Sequence, residues 1–241
     1  MTADLAAVGV RYPVRPRLEA WVLPEGTVPE SIPHDAAAER LKLLLAAWAA
    51  EGPRPRTVAR NLAIRWLEST PRVGIDPDVC VLDPAPPDVS ELSSLCLWKP
   101  GHAPPTICFE VVSRNHPHKD YAELQDRYAF VRAHELVVFD PLLAGPTSLG
   151  GPSLIQLWRT DAVGVLERVY AGTEPVLSEV LGAWLIPSQA SLDIADDREG
   201  HRRWATWEER ARRERAEKER EREQRIELEQ KLSALAAKSE R

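Results

Sequence analysis

Two acidic residues lie in apolar stretches of the sequence, where an isolated charge is energetically costly. Glu110 interrupts the β-branched run Thr106–Ser113, and Asp78 follows Pro77 in the run Gly74–Asp83. An ionised carboxylate in such surroundings needs a cation, a proton or a hydrogen-bond donor. Mg²⁺ accepts one or two carboxylates together with water and phosphate oxygens. A metal held by both residues would support phosphodiester hydrolysis, because the ion orients a water nucleophile and neutralises charge on the leaving oxygen.

The spacing of these acids fits two adjacent β-strands. Successive side chains of a strand alternate between faces, so Asp78 shares a face with Cys80, and Glu110 shares one with Cys108. If the strands pair with Asp78 roughly opposite Glu110, the two carboxylates come close enough to share one ion. Two alternatives stay open: Asp78 is an ordinary acid at the start of a strand, or Glu110 forms a salt bridge with an arginine such as Arg65.

The surrounding hydrophobic pattern predicts a mixed α/β fold in which helices flank a sheet. Apolar residues recur at three- and four-residue steps in two segments, which predicts amphipathic helices. Shorter β-branched runs predict strands, the first three of which can be antiparallel neighbours, and a proline-rich stretch predicts a long loop. The sequence first predicts a helix at residues 33–52, strands at 57–66 and 72–83, and the loop at 83–105. A strand at 105–113, a helix at 118–134 and a strand at 135–141 follow. The last part, residues 153–187, is predicted to be a β-rich extension that contains a hairpin.

The composition changes abruptly beyond Gly200 and indicates a separate C-terminal element. Acidic and basic residues lie four apart, as in Glu208 with Arg212 and Glu214 with Lys218, which stabilises an isolated helix. Apolar residues occupy the seam of a heptad repeat only near the end, so a solvated helix and a short coiled coil both stay open. We therefore expect an extended N-terminal segment over residues 1–33 and a globular domain over residues 34–190. A linker followed by a long charged helix is expected over residues 191–241.

The charge is unevenly distributed between these parts. The chain has a net charge of −6, and residues 201–241 carry 13 Lys and Arg against 10 Asp and Glu, which leaves 18 against 27 for residues 1–200. An acidic body suits a metal site and disfavours tight nonspecific binding of a phosphate backbone. Cys80, Cys96 and Cys108 lack metal-binding spacing, which predicts buried reduced thiols. Because no apolar stretch is long enough to cross a membrane, we expect a cytoplasmic protein.

Three segments in this order, GIDPDVCVLD, PPTICFEVVSRNHPHKDYAELQDRY and HELVVFDP, resemble the Uma-two family of restriction endonucleases in the PD-(D/E)XK nuclease superfamily. The similarity runs from about Thr57 to Pro141. The resemblance implies a restriction-endonuclease-like fold and an endonuclease that depends on Mg²⁺ or Mn²⁺ and acts on DNA. It also implies that Asp78 and Glu110 bind the metal, with the main-chain carbonyl of Val111 as a further ligand.

The sequence departs from the family at the positions where members carry a lysine. Val112 stands two residues after Glu110, and Leu124 stands four residues before Tyr128. An aliphatic side chain cannot supply the positive charge that stabilises an attacking hydroxide or a developing phosphorane. Lys119, at the start of the second predicted helix, and Arg127, near Leu124 on that helix, are the available replacements for the missing catalytic cation. Lys119 is the better candidate, because a frayed helix end lets a long side chain reach back over the site.

Two functions therefore stay open from the sequence. The first is a Mg²⁺-dependent endonuclease, for which cutting both DNA strands favours a homodimer with two-fold symmetry. The second is a catalytically degenerate nuclease fold that serves as a binding or oligomerisation module through its C-terminal helix.

Overall fold

Helices and strands follow one another in the computed structural model largely as the hydrophobic pattern predicts. The structure describes residues 17–23, 31–114, 117 and 119–239. The helices are α1 (Ile32–Ala50), α2 (Leu124–Val131) and α3 (Trp207–Ser239). The strands are β1 (Thr57–Ala59), β2 (Ala63–Arg65), β3 (Gly74–Ile75), β4 (Val79–Leu82), β5 (Ser94–Cys96), β6 (Ile107–Val111), β7 (Glu135–Phe139), β8 (Ile155–Thr160), β9 (Leu166–Gly172), β10 (Val176–Ser178), β11 (Ala183–Pro187) and β12 (Leu192–Ala195).

The central element is a six-stranded sheet with the strand order β1-β4-β6-β7-β8-β9. β6 and β7 run parallel, and the other neighbouring strands run antiparallel. The predicted hairpin is present as β8 and β9. Smaller sheets have the orders β3-β2-β5 and β10-β11-β12. The predicted mixed α/β fold, a mixed sheet with flanking helices, is confirmed.

The two faces of the six-stranded sheet pack against different helices. Val79 and Phe109 belong to the apolar cluster that contains the buried stripe of α1. Cys80 and Cys108 belong to the cluster around Tyr128 of α2. This alternation confirms the predicted faces of β4 and β6. It also places position 110 on the face covered by α2, because side chains two residues apart in a strand share a face.

The first predicted strand, residues 57–66, is wrong as a single element, because the structure divides it between two sheets. Asn61 has a φ of 48°, a left-handed backbone conformation that interrupts the extended chain between β1 and β2. Its N–H donates to the carbonyl of Pro77 at 3.0 Å and fixes the corner. The second predicted strand is likewise divided into β3 and β4, and Asp78 lies in the bend between them.

The predicted long loop, residues 83–105, contains regular structure that the sequence does not predict. A 3₁₀-helix covers Val89–Glu91, and β5 pairs in parallel with β2. Three-residue strands of this kind carry too few residues to show a period of two. The predicted loop therefore contributes β5, an edge strand of the smaller sheet on the α2 side.

Towards its C-terminus the chain divides into two units, one ending at Trp204 and the other beginning at Ala205. The structure places β12 in the segment assigned to a linker, where it pairs with β11. The predicted charged helix is present as α3. Its start is capped reciprocally: Glu209 N–H donates to Thr206 Oγ1 at 3.2 Å, and Thr206 N–H donates to Glu209 Oε2 at 2.9 Å. No helix in the described part of the chain could span a bilayer.

Candidate active site

The pairing register of β4 and β6 places the two predicted acids opposite each other. Val79 pairs with Phe109 at the end of the ladder, so the next residues outward are Asp78 and Glu110. Their side chains are largely buried, with 8% of Asp78 and 6% of Glu110 exposed. The register therefore places the two acids that the sequence singles out at the same end of this strand pair, where β4 begins and β6 ends.

Asp78 is held through one of its two carboxylate oxygens. Oδ2 accepts a hydrogen bond from the N–H of Val111 at 2.6 Å and lies 3.1 Å from Nε2 of His34. The Val111 N–H therefore forms a hydrogen bond to Oδ2, and Nε2 of His34 adds a close polar contact at ion-pair distance. Oδ1 of Asp78 accepts no hydrogen bond from any residue that the structure describes. It is the oxygen that a ligand could engage.

Pro77 explains why the backbone of Val111 is available at this edge. Continued by two residues, the register brings Val111 opposite Pro77, and proline has no N–H to donate to the Val111 carbonyl. The Pro77 carbonyl, which could accept from Val111, accepts from Asn61 instead. The carboxylate of Asp78 takes its place as the acceptor for the Val111 N–H. Pro77 thus explains why the Val111 N–H is bonded to the side chain of Asp78 and not to a backbone carbonyl of β4.

Glu110 is stabilised by a buried phenol. The hydroxyl of Tyr128 donates to Glu110 Oε1 at 2.6 Å. Burial and then the charge of Glu110 raise the pKa of Tyr128 well above its usual value, so the phenol stays protonated as a donor. The alternative partner considered from the sequence, Arg65, donates to the carbonyl of Pro71. Tyr128 itself is fully buried.

The cysteines beneath the acids are unsuited to chemistry at neutral pH. Cys80 and Cys108 are paired across β4 and β6, and both are fully buried. Burial, followed by the charge of Glu110, raises the pKa of Cys80 to about 12. Burial, followed by the neighbouring Cys80 and Glu110, likewise raises the pKa of Cys108 well above its usual value. These two and Cys96 are free thiols, which confirms the prediction of buried reduced cysteines.

The positions at which the family resemblance leads one to expect a lysine are part of the core. Val112 and Leu124 are buried in the apolar cluster that surrounds Tyr128. Lys119 begins a π-helical turn, Lys119–Glu123, that leads into α2. The side chain of Lys119 lies outside the described residues, so its catalytic role stays a prediction. The two histidines that precede Lys119 in the sequence, His116 and His118, also lie outside the described residues.

His34 is the residue near this site that the sequence does not predict. It lies in the first turn of α1, and 9% of it is exposed. The spacing of His34, Ala38, Leu41 and Leu45 marks it as the first member of the buried stripe of α1. That spacing is the available sequence signal, but it does not distinguish a core histidine from one that contacts a carboxylate.

A second group of polar residues could in principle bind a cation. Asp197, Glu199 and His201 have ligand atoms within 4.8 Å of one another. However, the carboxylate of Asp197 accepts the N–H groups of His201 at 2.9 Å and Arg202 at 2.7 Å. These backbone hydrogen bonds lower the pKa of Asp197. The carboxylate of Asp197 therefore stabilises a surface loop through these backbone hydrogen bonds.

Comparisons with known proteins give one similar solved structure and one matching family model. A solved structure from Anabaena variabilis ATCC 29413, described as a "putative nuclease belonging to DUF820", is similar with 11% identity and a TM-score of 0.38. The match covers 64% of this chain and 76% of that one. No curated protein matches the chain. The model of the Uma2 family, described as "Putative restriction endonuclease", matches residues 11–192, so the chain belongs to the Uma2 family.

Proposed function

We propose that the protein is a divalent-metal-dependent endonuclease that hydrolyses phosphodiester bonds in DNA. The observation that supports this function best is Oδ1 of Asp78, which accepts no hydrogen bond from a described residue and belongs to the acid across the strand pair from Glu110. A Mg²⁺ or Mn²⁺ ion would bind both buried carboxylates, since hard oxygen ligands of this type suit both metals. Membership of the Uma2 family supports nuclease activity independently of this geometry.

The ligand set that we propose consists of Asp78, Glu110 and the main-chain carbonyl of Val111. In a strand the N–H and C=O of one residue point to the same edge. The Val111 N–H points towards Asp78, so the Val111 carbonyl faces the same edge. When bound there, the ion would polarise the scissile phosphate and lower the pKa of a water molecule.

The protein itself contributes orientation and exclusion of water. The Val111 N–H fixes Asp78, and the Tyr128 hydroxyl fixes Glu110, so neither acid has to reorganise when a ligand arrives. Val112 lies in the apolar cluster that surrounds Tyr128. We propose that Lys119, in the turn that follows β6, stabilises the negative charge that develops on the phosphate.

Cleavage of supercoiled plasmid in Mg²⁺ or Mn²⁺ tests this function. We expect nicking by the wild type and none by Asp78→Asn or Glu110→Gln, which keep the shape of each side chain but remove its charge. Lys119→Gln should lower the cleavage rate by about 10²–10³-fold while metal binding persists. Glu91→Gln, on an exposed 3₁₀-helix, serves as the matched control and should cut as the wild type does.

Metal binding without DNA separates the two functions that the sequence leaves open. Calorimetric titration with Mn²⁺ should show one site that both Asp78→Asn and Glu110→Gln abolish. A wild-type protein that neither binds Mn²⁺ nor nicks plasmid would overturn the nuclease proposal. The remaining explanation would then be a degenerate nuclease fold that acts as a binding module.

A further inference from the structure

We infer that His34 is a positioning residue that holds the Asp78 carboxylate in the orientation required for metal binding. This inference rests on the proposed function, and it adds a residue to the site that neither the sequence motifs nor the family description assigns. His34 and Asp78 come from elements far apart in the chain, the start of α1 and the bend before β4. Their contact, 3.1 Å between Nε2 and Oδ2, joins these two elements at the end of the sheet where β4 begins.

The packing of α1 makes this contact a fixed feature of the fold. Ala38, Leu41 and Leu45 are fully buried against the six-stranded sheet. His34 lies one turn before Ala38 on the same stripe, so the packed helix directs its side chain towards the sheet. Pro33 lies in the first turn, where it favours helix initiation at this point. His34 is therefore positioned by the core of α1 rather than by a loop.

Two contacts on Oδ2 act together on the orientation of Asp78. The Val111 N–H donates a hydrogen bond to Oδ2 from the sheet, and His34 Nε2 approaches the same oxygen to 3.1 Å from the helix. Rotation of the carboxylate that exchanged its oxygens would move Oδ2 away from both nitrogen atoms. The two contacts therefore keep Oδ1 as the oxygen that remains for an ion. Removal of such a polar partner of a ligating carboxylate typically changes metal affinity about 10–100-fold.

Three substitutions of His34 distinguish positioning from simple packing. His34→Gln can place an amide N–H near Nε2, whereas His34→Leu fills the space without a donor, and His34→Ala removes both. Asp35→Ala is the matched control, because Asp35 lies in the same turn but is exposed and pairs with Arg60 at 2.7 Å. All variants are made in the full chain, and thermal unfolding establishes that each is folded.

The readouts are Mn²⁺ affinity by calorimetry without DNA, and kcat and KM for plasmid nicking. We expect His34→Leu and His34→Ala to weaken Mn²⁺ binding about 10–100-fold and to lower kcat at subsaturating metal, with KM for DNA unchanged. His34→Gln and Asp35→Ala should stay close to wild type. The rescue by glutamine is the result that a purely structural role of His34 would not produce.

The outcomes separate this inference from the proposed function. If Asp78→Asn abolishes Mn²⁺ binding but His34→Leu binds as the wild type does, the positioning role is overturned and the metal site stands. If glutamine and leucine at position 34 weaken binding equally, the donor is irrelevant and the inference also fails. If the wild type binds no Mn²⁺, the inference and the proposed function fail together. Should His34→Ala not fold, the comparison of glutamine with leucine decides the matter.

Discussion

At the scale of single residues, Glu110 shows how an acid can be retained in the middle of a hydrophobic strand. Its neighbours on the same face are apolar or weakly polar, and burial would normally disfavour its charge. The Tyr128 hydroxyl contacts it at 2.6 Å, and hydrogen bonds to charged groups are stronger than those between neutral groups. Tyr128, four residues after Leu124, therefore donates a hydrogen bond to a buried acid and also fills the core.

Removal of that hydroxyl provides a test of the pairing. We expect Tyr128→Phe to lower the free energy of unfolding by about 1–3 kcal/mol, because it leaves a buried acceptor without its donor. Urea unfolding measures this cost. Mn²⁺ binding should weaken as well, since Glu110 loses the contact that orients it.

A double-mutant cycle supplies the control for this prediction. In a Glu110→Ala background there is no carboxylate to leave unpaired, so Tyr128→Phe should cost less than it does in the wild type. Equal costs in the two backgrounds would show that the effect is one of packing and not of the Tyr128–Glu110 hydrogen bond.

At the scale of elements, the corner at Asn61 connects the backbone to the site. The left-handed conformation at this residue ends β1 and directs β2 into a different sheet. The same residue donates to Pro77, which occupies the position opposite Val111. Asparagine is one of the few residues other than glycine that adopts this conformation readily, and its exposed side chain adds no packing constraint.

Substitution of Asn61 tests whether this position requires a residue that tolerates a positive φ. Asn61→Val is expected to lower the free energy of unfolding by about 1–2 kcal/mol, because a β-branched residue is strained at positive φ. Asn61→Gly, which tolerates that conformation, should be close to neutral. Urea unfolding of both variants checks the prediction, and a valine variant as stable as the glycine variant would contradict it.

At the scale of the whole molecule, the globular unit and the charged helix have separate sources of stability. The first unit has an apolar cluster on each face of its sheet. The helix α3 is capped by its own Thr206 and Glu209, and it carries ion pairs four residues apart, including Glu208 with Arg212 at 3.0 Å. Each such pair is exposed to solvent and contributes little by itself, so many are needed to sustain an isolated helix.

Truncation after Trp204 tests this independence. We expect residues 1–204 to keep the urea midpoint and the Mn²⁺ affinity of the full chain, because α3 supplies its own caps and pairs. Far-ultraviolet circular dichroism should show the loss of the helix. A large drop in midpoint on truncation would contradict the prediction.

Light scattering on the same two chains addresses the homodimer that the sequence suggests. We propose that any dimer forms through the apolar residues near the end of α3. Dimerisation through the helix predicts twice the 27.0 kDa chain mass for the full protein and a monomer for the truncated one. A monomer in both cases would rule out the dimer, and a dimer in both would place the contact in the first unit.

The sequence by itself determined the α/β class, the two helices and the alternation of β4 and β6, since these follow from local hydrophobic periods. It also identified Asp78 and Glu110, because acids within apolar runs stand out without knowledge of the fold. It did not reveal the divided strands or the short strand β5, which depend on a single left-handed residue and on pairing with distant partners. Local periodicity contains no information about either.

Only the tertiary structure decided which groups surround those acids. His34 lies 44 residues before Asp78 in the chain, and Tyr128 lies 18 residues after Glu110, yet both make direct contact with the acids. Such contacts arise when helices pack on opposite faces of one sheet, and no spacing rule along the chain specifies them. Within the described residues this packing gives Oδ1 of Asp78 no hydrogen-bond donor, which is the physical basis for expecting an ion there.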